Sequence, residues 1–185
     1  MKIYFTAPLH QLDRYSIYYK KIIGTLEELG HEVIHDIFSY NIDNVLTQTQ
    51  KELNVYYKKW YKYLEEMDVC VADISFPSTV NIGFEIASIL NRAKPVIALY
   101  REGKDPIFTS PEFSKKMIKV EYTPESVSEV LQWALEEAKQ QLNRRFTFVI
   151  NPEIDNFLKN NLKKKKVSCS AYIRSLIKKD MEEKK

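Results

Sequence analysis

Short runs of β-branched and aromatic residues recur at Lys2–Thr6, His31–His35, Val69–Ile74, Pro95–Tyr100 and Met117–Tyr122, with stretches of helical spacing between most of them. The spacing predicts a helix over Tyr15–Leu29, where Ile22, Leu26 and Leu29 share one face and Gly30 supplies a stop. Further helices are predicted over Asp43–Met67, over Asn81–Arg92 and from Pro124 toward Leu142. Strands joined by helical crossovers run parallel, because each crossover returns the chain to the same end of the sheet. The expectation is an α/β domain with a doubly wound sheet of about five strands.

In such a sheet ligands bind beyond the carboxyl ends of the strands. Three loops meet that rule: Ala7–Arg14, Asp73–Val80 and Arg101–Phe113. The second is the richest in chemistry. It places Asp73, the adjacent hydroxyls of Ser78 and Thr79, and Gly83 around the start of a helix that carries Glu85. A helix N-terminus favours anions, so Glu85 is expected to be ionised and available as a nucleophile, with Gly83 permitting close approach of a ligand. From these residues alone, a solvated glutamate and a packing glycine fit equally well.

Composition narrows the options. Of 185 residues 44% are hydrophobic, enough for a packed core. No apolar run approaches the roughly 20 residues of a membrane helix, and the N-terminus has no signal pattern, so a soluble cytoplasmic protein without membrane association is expected. Cys70 and Cys169 cannot form a disulfide framework or a four-thiolate metal site by themselves. The four glycines fit neither GxGxxG nor GxxxxGK, which removes the common dinucleotide and P-loop cradles; no cofactor or metal is expected.

Charge divides the chain. Residues 1–143 carry 16 Lys and Arg against 20 Asp and Glu, net −4, whereas the last 42 residues carry 12 against 5, net +7. Domains are therefore expected at 1–142 and 143–185. In the basic segment, Arg145–Ile150 reads as a short strand that ends at an Asn151 cap and Pro152. A helix with Ile154, Phe157, Leu158 and Leu162 follows. After the lysines 163–166, Ser168 can cap a second helix whose apolar face is Ala171, Ile173, Leu176 and Ile177.

Three anchors within residues 1–140 carry a resemblance. They are Ile3-Tyr-Phe-Thr-Ala-Pro-Leu9, the block from Glu65 through Asp73 and Ser78 to Gly83-Phe84-Glu85-Ile86, and Lys94-Pro-Val-Ile97. Together they resemble the nucleoside 2-deoxyribosyltransferases and the related 2′-deoxynucleoside 5′-monophosphate N-glycosidases. The resemblance implies a flavodoxin-like sheet, a deoxynucleoside or deoxynucleotide substrate, and a covalent glycosyl intermediate on Glu85, with Tyr4 orienting its carboxylate. The family position six residues before the nucleophile is Thr79 here. A hydroxyl there, beside Ser78, matches the phosphate-binding branch, and capping of the helix is compatible with that role. Thr109 or Ser110 matches a hydroxyl that reaches the phosphate from a neighbouring subunit.

Two positions depart from the family pattern. Trp60 stands where the family has an aspartate general acid, and tryptophan transfers no proton at neutral pH; Asp73, at a strand end, is the expected substitute. His10 stands where a basic residue contacts phosphate, a role open to a protonated imidazole.

The strand, helix and Ser-capped helix of the basic segment resemble the ribbon-helix-helix DNA-binding dimers over Arg145–Met181. So small a unit buries its apolar residues only with an intertwined partner, so a homodimer or a dimer of dimers is expected. The resemblance implies that Arg145, Thr147 and Val149 face bases of duplex DNA, while Lys164 and Ser168 hold phosphates. A dimerisation clasp without DNA remains the alternative. Two functions are thus expected: an N-glycosidase or transferase with a DNA-binding tail, or a nucleotide-sensing DNA-binding regulator.

Overall fold

The computed structural model describes every residue except 11, 40–46, 107–113, 143–148, 166 and 185, and leaves out the side chains at 163–165. The elements run β1 (Lys2–Thr6), α1 (Leu12–Glu28), β2 (Glu32–Ile34), α2 (Gln50–Glu66), β3 (Val69–Asp73), α3 (Val80–Asn91), β4 (Val96–Arg101), β5 (Met117–Tyr122), α4 (Val127–Gln140), α5 (Pro152–Lys165) and α6 (Cys169–Glu183). They fall into two compact units, Met1–Asn143 and Arg144–Lys185.

The first unit is a five-stranded sheet in the order β2-β1-β3-β4-β5, with every neighbouring pair parallel. This is the flavodoxin-like arrangement, and its order reverses between β1 and β3. β3 reads Val-Cys-Val-Ala-Asp and is buried at all five positions, because helices cover both faces of a parallel sheet. Alternate side chains feed two separate cores. Ile3, Phe5, Val69, Val71, Ile97 and Leu99 pack with α1 and α4, whereas Tyr4, Cys70, Ala72, Val96 and Ala98 pack with α2 and α3.

The helices lie where their apolar spacing directs them. α1 buries Tyr19, Ile22, Ile23 and Leu26, and truncating a fully buried residue such as Leu26 to alanine would cost about 2–5 kcal/mol. It stops at Gly30, whose φ of +80° lets the His31 amide reach back to the Leu26 carbonyl at 3.2 Å. α2 begins at Gln50, and its predicted start at Asp43 lies outside the described residues. Its first turn is fixed by a capping box, in which the Glu52 amide donates to Thr49 Oγ1 and the Thr49 amide donates to Glu52 Oε2. No helix among the described residues is long and apolar enough to cross a membrane.

The second unit contains two capped helices. Asn151 Oδ1 accepts from the Ile154 amide at 2.9 Å and Ser168 Oγ accepts from the Ala171 amide at 3.2 Å. Their apolar residues Phe157, Leu176, Ile177 and Met181 are exposed, and α6 has no buried residue. The expected strand at Arg145–Ile150 lies mostly outside the described residues; Val149 and Ile150 belong to no regular element.

Candidate active site

The reversal of strand order between β1 and β3 opens a crevice at their carboxyl ends, and the expected nucleophile lies beside it. Thr79 caps α3: its backbone is extended (φ −117°, ψ 154°) and its Oγ1 accepts from the Ile82 amide at 3.4 Å. From that start, Ile82, Glu85, Ile86 and Ile89 form the buried stripe of the helix, so a carboxylate occupies a position the helical period reserves for the core.

Glu85 is 8% exposed. Burial pushes its carboxyl above the ordinary value, and hydrogen bonds from Thr6 and Tyr4 offset only part of that rise. Burial, which sequence reasoning left out, therefore outweighs the groups that favour the anion. Tyr4 Oη donates to Glu85 Oε2 at 3.0 Å. The phenol is itself pushed far up by burial and by the nearby carboxylate, so it stays a proton-bearing donor. Cys70, paired in register with Tyr4, is fully buried, and its thiol is pushed up by burial and by Glu85.

Tyr4 and Glu85 face a cavity of about 210 Å³. β1 contributes Tyr4 and Thr6, the following loop His10, the cap of α3 Thr79, and α3 itself Asn81 and Glu85. His10 Nδ1 is buried without a partner among the described residues. Asp36, from the loop after β2, and Tyr56, from α2, complete the wall. Neither these two residues nor Asn81 was among the candidates from sequence. Asp36 Oδ1 accepts from Lys59 Nζ at 2.9 Å and from Tyr63 Oη at 3.2 Å, which raises the Lys59 ammonium above its usual value.

A smaller cavity of about 70 Å³ shares Tyr56, Asn81 and Glu85 with the first and adds Tyr57, Trp60 and Phe84. Trp60 is buried, and its Nε1 has no partner among the described residues. Its ring packs 5.9 Å from that of Phe84. The space beside Glu85 is thus walled by aromatic rings.

The remaining candidates lie elsewhere. Asp73 is not brought to the cavity. It follows Ala72 on β3 and therefore faces the opposite side of the sheet, where Tyr122 Oη donates to Oδ2 at 2.6 Å and the Ser75 amide to Oδ1 at 2.9 Å. Ser78 and Gly83 line neither cavity, and a Cβ added at Gly83 would meet nothing within 4 Å. Thr109, Ser110, Arg145 and Thr147 lie outside the described residues, and Lys164 is described only as backbone of α5. Val149 is exposed, and Ser168 is the cap of α6.

No protein-family model matches the chain. A solved structure, the CMP N-glycosidase of Clostridium botulinum, shares the fold with a TM-score of 0.52 at 16% identity, covering 71% of this chain and 99% of that one. Two curated proteins named "Putative 2'-deoxynucleoside 5'-phosphate N-hydrolase 1" are similar in sequence. The protein from Syntrophotalea carbinolica is 26% identical over 132 residues, 70% of this chain and 89% of the relative. The one from Thermofilum pendens is 40% identical over 104 residues, 54% of this chain and 67% of the relative. That level of identity, sustained over two thirds of the relative, means that the chain belongs to the 2′-deoxynucleoside 5′-phosphate N-hydrolase family.

Proposed function

We propose that the protein hydrolyses the N-glycosidic bond of 2′-deoxynucleoside 5′-monophosphates through a covalent glycosyl intermediate on Glu85. One observation carries this reading: a buried carboxylate, held by Tyr4 at 3.0 Å, faces a cavity whose other wall includes a helix-capping hydroxyl. Glu85 attacks C1′ of the sugar, and the base departs with the electron pair of the C–N bond. Tyr4 holds Oε2 in position, while the 5′-phosphate is received by Thr79 and the free amides at the start of α3. His10, in the same wall, adds a second phosphate contact when protonated. Water then attacks C1′ and releases the sugar phosphate with net retention. Incubation with a panel of deoxynucleosides and their monophosphates, resolved by chromatography, tests the reading: free base is expected from monophosphates with wild type and none with Glu85→Ala. Equal release by that variant would remove Glu85 from its role.

Trp60 favours a second reading, since the position the family gives to a proton donor holds an indole. In it the α/β unit senses nucleotides and the basic second unit, dimerised as a ribbon-helix-helix, binds duplex DNA. Support comes from the net +7 of the last 42 residues and the exposed apolar faces of two capped helices. Arg145, Thr147 and Val149 then read bases and Lys164 holds phosphate. A mobility-shift titration at low salt tests this reading. Retardation that weakens with salt, at a logarithmic slope of about −0.9 per phosphate contact, and that disappears on deletion of residues 144–185 supports it. No retardation of any duplex reduces the second unit to a dimer clasp.

A further inference from the structure

The hydrolytic second half of the proposed reaction requires a group that takes a proton from water, and Trp60 cannot supply it. Among the described cavity residues, Tyr4 is held as a proton donor to Glu85, and Glu85 itself is esterified at that stage. Asp36 is the other carboxylate in the wall. Its side chain is only 17% exposed, and both hydrogen bonds it receives fall on the same oxygen. Lys59 and Tyr63, one turn apart on α2, hold Oδ1 from one side, and Oδ2 has no partner among the described residues. A carboxylate held through one oxygen, lining the same cavity as the nucleophile, is placed to serve as a base for water.

We propose that Asp36 is the general base of the deglycosylation step, an inference that rests on the N-hydrolase reading. Water oxygen bonds to C1′ as the C1′–Oε bond to Glu85 breaks and its electron pair returns to the carboxylate. The water proton passes to Asp36 Oδ2 and from there to solvent. Retention requires water to arrive on the face the base has left, so Asp36 marks the base side of the cavity.

The test compares wild type, Asp36→Asn and His10→Gln on whichever of dAMP, dCMP, dGMP and dTMP the wild type cleaves fastest. Asp36→Asn keeps the shape of the side chain, and its melting temperature is measured alongside. The expected result is a burst of free base equal to the enzyme present, followed by turnover reduced about 100-fold or more. Intact-protein mass spectrometry should show one deoxyribosyl phosphate per chain, mapped to Glu85. Azide, which needs no base, should restore turnover in this variant. Asp36→Asn that turns over like wild type, or that is slow with neither burst nor adduct, overturns the assignment and leaves the N-hydrolase reading intact. A burst and adduct in His10→Gln instead would move the role to His10. Absence of base release by wild type from all four nucleotides would overturn the N-hydrolase reading and this inference with it.

Discussion

Tyr4 and Glu85, 81 residues apart in sequence, meet through a hydrogen bond of 3.0 Å from Oη to Oε2 at the point where the sheet reverses its strand order. The bond does two things: it orients one carboxylate oxygen, and it opposes the effect of burial on the carboxyl group. Tyr4→Phe keeps the ring and removes the donor. Activity should fall by a factor of about 10–150, the worth of a hydrogen bond to a charged group. The acid limb of the kcat/KM profile should also move to higher pH, because one of the two bonds lowering the carboxyl's proton affinity is gone. A pH-rate titration of both proteins checks the direction.

Glu85→Gln separates function from stability. Base release should fall at least roughly 1000-fold, since the nucleophile is lost. The folded carboxyl titrates above its unfolded value of 4.5, so its stabilising contribution is complete below pH 4.5 and is lost as pH rises through the folded value. Above that folded value the buried group is ionised, a cost that glutamine does not carry. The variant should melt higher than wild type at pH 7, with the difference shrinking as pH falls toward 4.5. Thermal melts across that range check it.

Thr79 is expected to serve as cap and as phosphate ligand at once. Thr79→Ala should cost about 1 kcal/mol through the lost cap. It should also raise KM for a monophosphate by a factor of about 10–150 while changing KM for the nucleoside little. Thr79→Ser retains the hydroxyl and should recover both. Steady-state kinetics with a matched nucleoside and monophosphate pair discriminates a ligand role from a purely structural one.

Asp73 gives the opposite expectation. Its carboxylate is satisfied by Tyr122 and the Ser75 amide on the far face of the sheet. Asp73→Asn should therefore lower stability by about 1–3 kcal/mol while leaving kcat/KM of the folded protein unchanged. Denaturant unfolding together with kinetics measures both.

The contrast between Asp73 and Glu85 shows what the sequence made legible. Strand and helix periods predict β1 and β5 at their observed bounds and the other strands of the sheet to within a residue or so at each end, because fully buried parallel strands and amphipathic helices each leave a plain pattern. Motif and position mark Tyr4, Glu85 and Thr79 in the sequence, and the structure brings the three to one cavity. The end of a strand marks Asp73 in the sequence but does not show which face of the pleat it occupies; one residue of parity decides that, and Ala72 has the other face. Asp36 follows β2, where the same carboxyl-end rule applies, but no motif marks it. Tyr56 and Asn81 carry no motif, and only the packing of α2 against α3 reveals them as wall residues.

The oxygen that caps α3 links the pocket to the integrity of that helix. Thr79 Oγ1 accepts the Ile82 amide, which leaves its own hydroxyl proton to be given to an anion. A hydroxyl that donates becomes a better acceptor, so an occupied phosphate site strengthens the bond that keeps the first turn of α3 from fraying. Amide hydrogen exchange at Ile82 should therefore slow when a monophosphate is bound and respond little to the corresponding nucleoside, making the helix end itself a reporter of what the pocket holds.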